Sequence, residues 1–125
     1  MRGSKKDLPK TTETSEMVMQ DADWGDMHVQ FATLHKKLDV TPLLKGLPND
    51  RCQSPHWGYV LKGRMIIRNK DGEEIANVGD AYYMAPGHTA IFDAGTEILE
   101  FSPKDKVKKT MEVIMRNFEA MQKKK

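Results

Sequence analysis

Turn residues interrupt the second half of this sequence every few positions, and this spacing restricts the fold more than any other feature. After Asp50 the chain consists of short β-prone segments, which read WGYVLKG, RMIIRN, EEIANVGD, AYYM, TAIF and EILEF. Between them lie Asp71-Gly72, Gly79-Asp80, Pro86-Gly87 and Gly95, which suit the tight connections of antiparallel hairpins. The sequence therefore predicts an antiparallel β-sandwich or β-barrel.

The first half contains one further strand signal and one polar segment. From Met27 to Leu34 apolar and polar residues alternate, which is the period of a half-buried strand. Residues 1–16 are polar and contain Pro9 with several Thr and Ser, so we expect a flexible N-terminal arm. The folded barrel is then expected to begin near Met17.

Helical spacing replaces this alternation at the C-terminus. Ser102, Pro103 and Asp105 have the pattern of an N-cap, a first-turn proline and a capping-box acid. The apolar residues that follow at helical spacing are Val107, Met111, Ile114, Met115, Phe118 and Met121. The pattern predicts an amphipathic helix with a basic tail over residues 102–125. Its apolar stripe would cover an open end of the barrel or pair with a second copy.

Length and charge exclude several classes of protein. A chain of 125 residues fits one domain. Its Lys and Arg are concentrated at the two ends, and no aromatic residue is interleaved with the terminal lysine run at 123–125, so we predict no nucleic-acid binding. No apolar run approaches the roughly 20 residues that cross a bilayer, so no membrane partner is predicted. Cys52 is the single cysteine, which agrees with a reducing compartment and a cytoplasmic location.

Two segments resemble the two motifs of the cupin superfamily. They read HWGYVLKGRM and VGDAYYMAPGH, and with the hairpin between them the resemblance covers residues 50–101. It implies a small single-domain cupin that is mainly β. Its antiparallel jelly-roll barrel would span residues 17–101 and precede the C-terminal α-helix. In this family three histidines and one glutamate bind a metal ion inside the barrel. The run TPLLKGLPNDRCQSPHWGYVLKG is also similar to a group of single-domain cupins without an assigned reaction.

The ligand positions of the first motif hold different residues in this chain. If Gly63 is aligned with the glycine that ends the motif, His56 takes the place of the glutamate. Cys52 and Asp50 then take the places of the two histidines. The resemblance thus implies that Asp50, Cys52 and His56 face the barrel interior.

The second motif keeps its turn and loses its histidine position. Gly79, Pro86 and Gly87 match the turn residues of the motif, while Ala90 stands where the family has histidine. A histidine occurs two residues earlier, at His88. His88 is therefore the candidate that this motif contributes to the site.

Cys52, His56 and His88 are candidate ligands for one divalent metal ion. Cys52 and His56 share parity, so in an extended segment their side chains point the same way. A closed barrel is expected to bring His88 opposite them. One thiolate and two imidazoles suit zinc, iron or copper, and Asp50 would complete four ligands. Large side chains predicted to line the pocket are Trp57, Tyr59, Tyr82, Met84 and Phe92.

Three functions agree with these residues, and the sequence leaves open whether the protein is an enzyme. The first is a metal-dependent pocket that polarises a small oxygen-containing molecule. The second is a metal-free cupin that binds or senses a small organic molecule, with Cys52 as a buried apolar group and the histidines in structural roles. The third is a protein-interaction module that acts through the C-terminal helix. Open sheet edges and that Met-rich helix also predict a homodimer.

Overall fold

The computed structural model describes residues 1–123, so Lys124 and Lys125 of the predicted basic tail lie outside the described residues. Within that range the chain forms ten β-strands and one α-helix. The strands are β1 Lys10–Glu13, β2 Met17–Trp24, β3 Met27–Leu34, β4 Leu38–Asp39, β5 His56–Lys62, β6 Arg64–Asn69, β7 Gly72–Asn77, β8 Ala81–Met84, β9 Thr89–Phe92 and β10 Thr96–Pro103. The helix is α1 Lys104–Lys123, and short 3-10 turns cover Lys5–Asp7, Thr41–Leu44 and Pro48–Asp50.

The strands form two antiparallel sheets that face each other. One has the order β1-β2-β3-β10-β5-β8 and the other the order β4-β9-β6-β7. Alternate residues of the facing strands point between the sheets, because successive side chains of a strand lie on opposite faces. The most deeply buried include Met17, Val60, Met65, Ile67 and Ile98. The prediction of a mainly β, antiparallel fold with a C-terminal helix is confirmed.

The N-terminal segment differs from the flexible arm that its composition predicted. Lys10–Glu13 forms an edge strand that pairs with β2. Leu8 is buried, and the side-chain amide of Gln20 donates a hydrogen bond to the carbonyl of Lys5 at 2.8 Å. The local periodicity of residues 1–16 carries no signal for this pairing, for the burial of Leu8 or for the hydrogen bond to Lys5.

The helix begins two residues later than the capping pattern predicted. Ser102 and Pro103 continue strand β10 and pair with β3, so Ser102 is a buried strand residue and not an N-cap. Val107 and Phe118 on the helix are buried against the barrel. The apolar stripe thus covers one end of the domain, which is the first of the two arrangements that the sequence left open.

The loop between β4 and β5 attaches the helix to the barrel. Leu43 and Leu44 are completely or almost completely buried. The side-chain amide of Asn117 donates hydrogen bonds to the carbonyl oxygens of Leu43 and Lys45, at 2.7 and 2.9 Å. The described part of the chain contains no helix with the length and apolar character needed to cross a membrane.

Candidate metal centre

Cys52, His56 and His88 come together inside the barrel, at the end that the helix covers. Backbone hydrogen bonds join Cys52 to Gly87 and His88, and His56 is the first residue of β5. The Cys52 Sγ lies 3.3 Å from His56 Nε2, and one ligand atom from each of the three residues lies within 4.8 Å of the others. All three side chains are buried, with 3 to 6% exposure. The structure therefore brings together the three main candidates.

Hydrogen bonds on the far side of each ring orient the two imidazoles. His88 Nδ1 lies 2.7 Å from the carbonyl oxygen of Ala85, so this nitrogen carries the proton and Nε2 keeps its lone pair. His56 Nδ1 lies 2.6 Å from Ser102 Oγ and 3.6 Å from Glu100 Oε2. When Nδ1 carries the proton and donates it to Ser102 Oγ, the Nε2 lone pair is directed toward Cys52 Sγ at 3.3 Å. Metal-binding histidines commonly have such partners.

Glu100 and Ser102 reach His56 from the neighbouring strand. They are two residues apart on β10 and both are buried, so they point to the same side of the sheet. Glu100 Oε1 also accepts a hydrogen bond of 2.7 Å from the Tyr82 hydroxyl. Burial and the nearby Glu100 raise the pKa of Tyr82, so this hydroxyl remains a donor. Gly58 leaves room for the Tyr82 ring, since a Cβ there would overlap it.

Burial disfavours the charged forms of Cys52 and His88. It raises the pKa of Cys52 to about 11, and it lowers the pKa of His88 to about 4. At neutral pH Cys52 is therefore a thiol and His88 a neutral imidazole. A nucleophilic cysteine needs a depressed pKa, so the site does not have the electrostatics of thiol catalysis. Neutral imidazole is the form that binds metals.

The cavity beside the cluster is small, and residues of the helix form part of its wall. Its volume is about 90 Å³. Since a water molecule occupies about 30 Å³ in the liquid, this corresponds to roughly three waters. The lining residues from α1 are Val107, Thr110, Met111 and Ile114. Thr110 is 3% exposed, and its Oγ1 lies 3.9 Å from Cys52 Sγ.

Asp50, predicted as a fourth ligand, lies outside the cluster. It is exposed, and its carboxylate accepts a hydrogen bond of 3.0 Å from the backbone N–H of Gly46. Asn49 and Asp50 both have positive φ, at 56° and 54°. This turn breaks the extended path that would have placed Asp50 beside Cys52, which corrects the prediction from the motif alignment.

The residues predicted to line the pocket divide into three groups. Met84 and Phe92 line the cavity. Tyr82 is part of the hydrophobic core and meets the site only through Glu100. Trp57 and Tyr59 are 46 and 44% exposed, because odd-numbered residues at the start of β5 point outward when His56 points inward. For these two residues the pocket prediction is corrected.

Sequence reasoning missed Glu100, Ser102 and Thr110. Glu100 and Ser102 had a usable signal, since they are polar residues two positions apart that lie on the same face of the strand as the apolar Ile98. Thr110 interrupts the helical stripe between Val107 and Ile114. Their proximity to Cys52 and His56 depends on contacts across 44 to 58 positions of sequence.

A second polar cluster lies outside the cavity, in an open groove between the helix and the six-stranded sheet. His28 lies between Asp21 and Asp23, with nitrogen to oxygen distances of 3.1 and 2.9 Å. The hydrogen bond to Asp21 is the main cause of a raised pKa of His28. Burial disfavours ionised Asp21, but hydrogen bonds led by that from His28 outweigh it and lower the pKa of Asp21.

Solved structures of low sequence identity share this fold. An RmlC-like cupin from Shewanella frigidimarina matches with a TM-score of 0.58 and 12% identity, over 81% of this chain and 88% of that one. A protein of unknown function from Rhizobium leguminosarum matches with a TM-score of 0.58 and 13% identity, over 82 and 93%. A sugar phosphate isomerase of the cupin superfamily from Silicibacter pomeroyi matches with a TM-score of 0.52 and 13% identity, over 71 and 60%. No family model matches the chain, and no curated protein matches it in sequence. The fold that the two motifs predicted is confirmed.

Proposed function

We propose that this protein, a small chain with the cupin fold, binds one divalent transition-metal ion through Cys52, His56 and His88. The observation that carries the proposal is the orientation of the imidazoles. Hydrogen bonds at Nδ1 leave Nε2 of His56 and of His88 free to bind an ion beside Cys52 Sγ. One sulfur and two nitrogens favour zinc, iron or copper over magnesium or calcium.

The spacing of the donors supports this proposal. In a tetrahedral zinc site a sulfur and a nitrogen ligand lie about 3.6 Å apart, given bonds of about 2.3 and 2.1 Å. The corresponding distance between Cys52 Sγ and His56 Nε2 is 3.3 Å. Three protein ligands with adjacent space for water are typical of catalytic zinc sites, whereas structural sites have four. A bound ion would supply polarisation of an oxygen atom on a small molecule that reaches it.

The test is metal content and affinity, measured on protein purified without an affinity tag. We expect one equivalent of metal per chain after loading with Zn²⁺, Fe²⁺ or Cu²⁺. The variants Cys52→Ala, His56→Ala and His88→Ala should each weaken zinc binding by about a hundredfold or more. His35→Ala is the matched control, because His35 is exposed and lies outside the site. A wild-type protein that binds no metal at saturating concentrations would overturn the proposal.

A metal-free binding protein is the second candidate, and one observation favours it. The thiol of Cys52 can donate to His56 Nε2 at 3.3 Å, so the cluster is satisfied without an ion. Pockets for organic ligands usually enclose about 300–1,000 Å³, far more than the cavity of about 90 Å³. A small organic ligand, which we include in the proposal, therefore requires movement of the helix. Tight binding of such a ligand by metal-free protein would favour this candidate.

A homodimer is part of the proposal and is supported by an aromatic patch on the outer face of the six-stranded sheet. The patch consists of Trp57, Tyr59 and Tyr83, which are 44 to 50% exposed. The rings of Trp57 and Tyr83 are 5.3 Å apart. Such a patch marks an interaction surface, and a two-fold axis would pack it against itself.

Sedimentation of the intact protein tests the dimer. We expect Trp57→Lys combined with Tyr83→Lys to give a monomer. Met121→Lys is the control, because Met121 is equally exposed at 43% but lies on the helix. A wild-type monomer at high concentration would contradict the dimer.

The buried free thiol of Cys52 suits a reducing compartment, and the cytoplasmic location stays a prediction.

A further inference from the structure

Thr110 is an unusual residue at the centre of the buried face of the helix. It lies between Val107 and Ile114, where the helical stripe would accept an apolar side chain, and it is 3% exposed. Within residues 1–123 its hydroxyl has one hydrogen-bond partner, Cys52 Sγ at 3.9 Å. A buried hydroxyl with such a long contact is poorly satisfied. It therefore calls for a specific explanation.

The Cys52 thiol cannot supply a strong bond to Thr110. A thiol has one proton, and its nearest acceptor is His56 Nε2 at 3.3 Å, with the Ser54 carbonyl oxygen at 3.7 Å. When the thiol donates to His56, Thr110 is left to donate to a sulfur atom, which is a weak acceptor. Thr110 lines the same cavity as Cys52, His56 and His88.

We infer that Thr110 completes the metal site, so that metal binding and docking of the C-terminal helix stabilise each other. The inference rests on the proposed metal site and adds a role for the helix. Its hydroxyl would bind the ion directly or through a water molecule, and the Sγ to Oγ1 distance of 3.9 Å is close to the roughly 3.6 Å between two zinc ligands. A bound ion then holds the helix over the cavity, and loss of the ion weakens its attachment.

Linkage gives this inference a quantitative form. If docking of the helix increases the zinc affinity by a given factor, bound zinc must increase the equilibrium constant for helix docking by the same factor. Groups that support a metal site typically change affinity by about tenfold to a hundredfold. The helix has other attachments, among them the hydrogen bonds of Asn117 and the buried ring of Phe118. It therefore remains folded on the barrel without metal but opens more often.

Hydrogen exchange of the helix amides tests this, with and without Zn²⁺, beside a zinc titration of the same samples. In the wild type we expect saturating zinc to slow exchange over residues 107–118 by about tenfold. Thr110→Val, which removes the hydroxyl at nearly constant volume, should lose this slowing and bind zinc about tenfold more weakly. Thr110→Ser should retain both effects. The melting temperature of metal-free Thr110→Val should not fall, since the substitution removes a poorly satisfied group.

The possible failures are distinguishable. If zinc binds stoichiometrically but leaves helix exchange unchanged, the coupling is refuted and the metal site stands. If Thr110→Val binds zinc as tightly as the wild type, the role of Thr110 is likewise refuted. If no zinc binds to any form, both the coupling and the proposed metal site fail. Asn117→Ala is the control, because it loosens the helix without touching the cluster and should retain slowing by zinc.

Discussion

Replacing Ser102 by alanine tests whether the hydrogen bond that orients the His56 ring contributes to zinc binding. The substitution removes the 2.6 Å hydrogen bond at Nδ1 and leaves Glu100 Oε2, at 3.6 Å, as the nearest partner. A lost or poorly replaced buried hydrogen bond costs about 1–3 kcal/mol of folding stability. The hydrogen-bond partner at the ring nitrogen that does not bind the metal also contributes about tenfold to a hundredfold to the metal affinity, which is about 1.4–2.7 kcal/mol. We therefore expect zinc binding to weaken by that factor.

Competition with a chromophoric zinc chelator at constant pH measures the affinity, and thermal unfolding followed by circular dichroism measures the stability. Ser54→Ala is the matched control. Ser54 is equally buried and lies between Cys52 and His56, but its hydroxyl donates to the carbonyl oxygen of Pro55. It should lose stability without losing zinc affinity by more than about twofold. Unchanged zinc affinity in Ser102→Ala, despite reduced stability, would refute the argument that Nδ1 orientation prepares His56 to bind metal.

Three further substitutions test the fold around the site. Gly58→Ala should destabilise the protein by about 1–3 kcal/mol in urea unfolding, because the new Cβ overlaps the Tyr82 ring; unchanged stability would show that the ring can move aside. His28→Gln should cost about 0.5 kcal/mol at pH 6. Because the pKa of His28 is raised in the folded state, this difference should shrink as pH rises through that pKa toward 9, and a cost that grows with pH would contradict it. Phe118→Ala should cost about 3–5 kcal/mol and speed exchange of the helix amides, whereas slow exchange would mean that the helix is held elsewhere.

The elements that the sequence predicted correctly are those with a local cause. Gly79, Pro86 and Gly87 mark turns because of their own backbone conformations, and the alternation from Met27 to Leu34 follows from the geometry of one strand. Lys10–Glu13 carries no such pattern, since it is held by pairing with β2. The start of the helix was misplaced for a similar reason. Ser102 is compatible with a cap, but its pairing with β3 keeps it in a strand.

The candidate site divides in the same way. Turn chemistry, parity and the resemblance of two motifs were enough to select Cys52, His56 and His88. The motif alignment failed for Asp50, because the positive φ angles at Asn49 and Asp50 redirect the chain. The pocket prediction for Trp57 was wrong, because Trp57 directly follows the inward-facing His56 on β5 and therefore points outward.

The sequence by itself determined the strand periods, the turns, the amphipathic helix and the three residues that we propose as metal ligands. Only the tertiary structure decided that Glu100 and Ser102 stand behind His56 and that Thr110 faces Cys52. The physical reason is that the alternation of side chains is a property of one strand, whereas the neighbours of a side chain depend on which strands and helices pack beside it. Those pairings are settled by burial summed over the whole domain, to which any one residue contributes a small part.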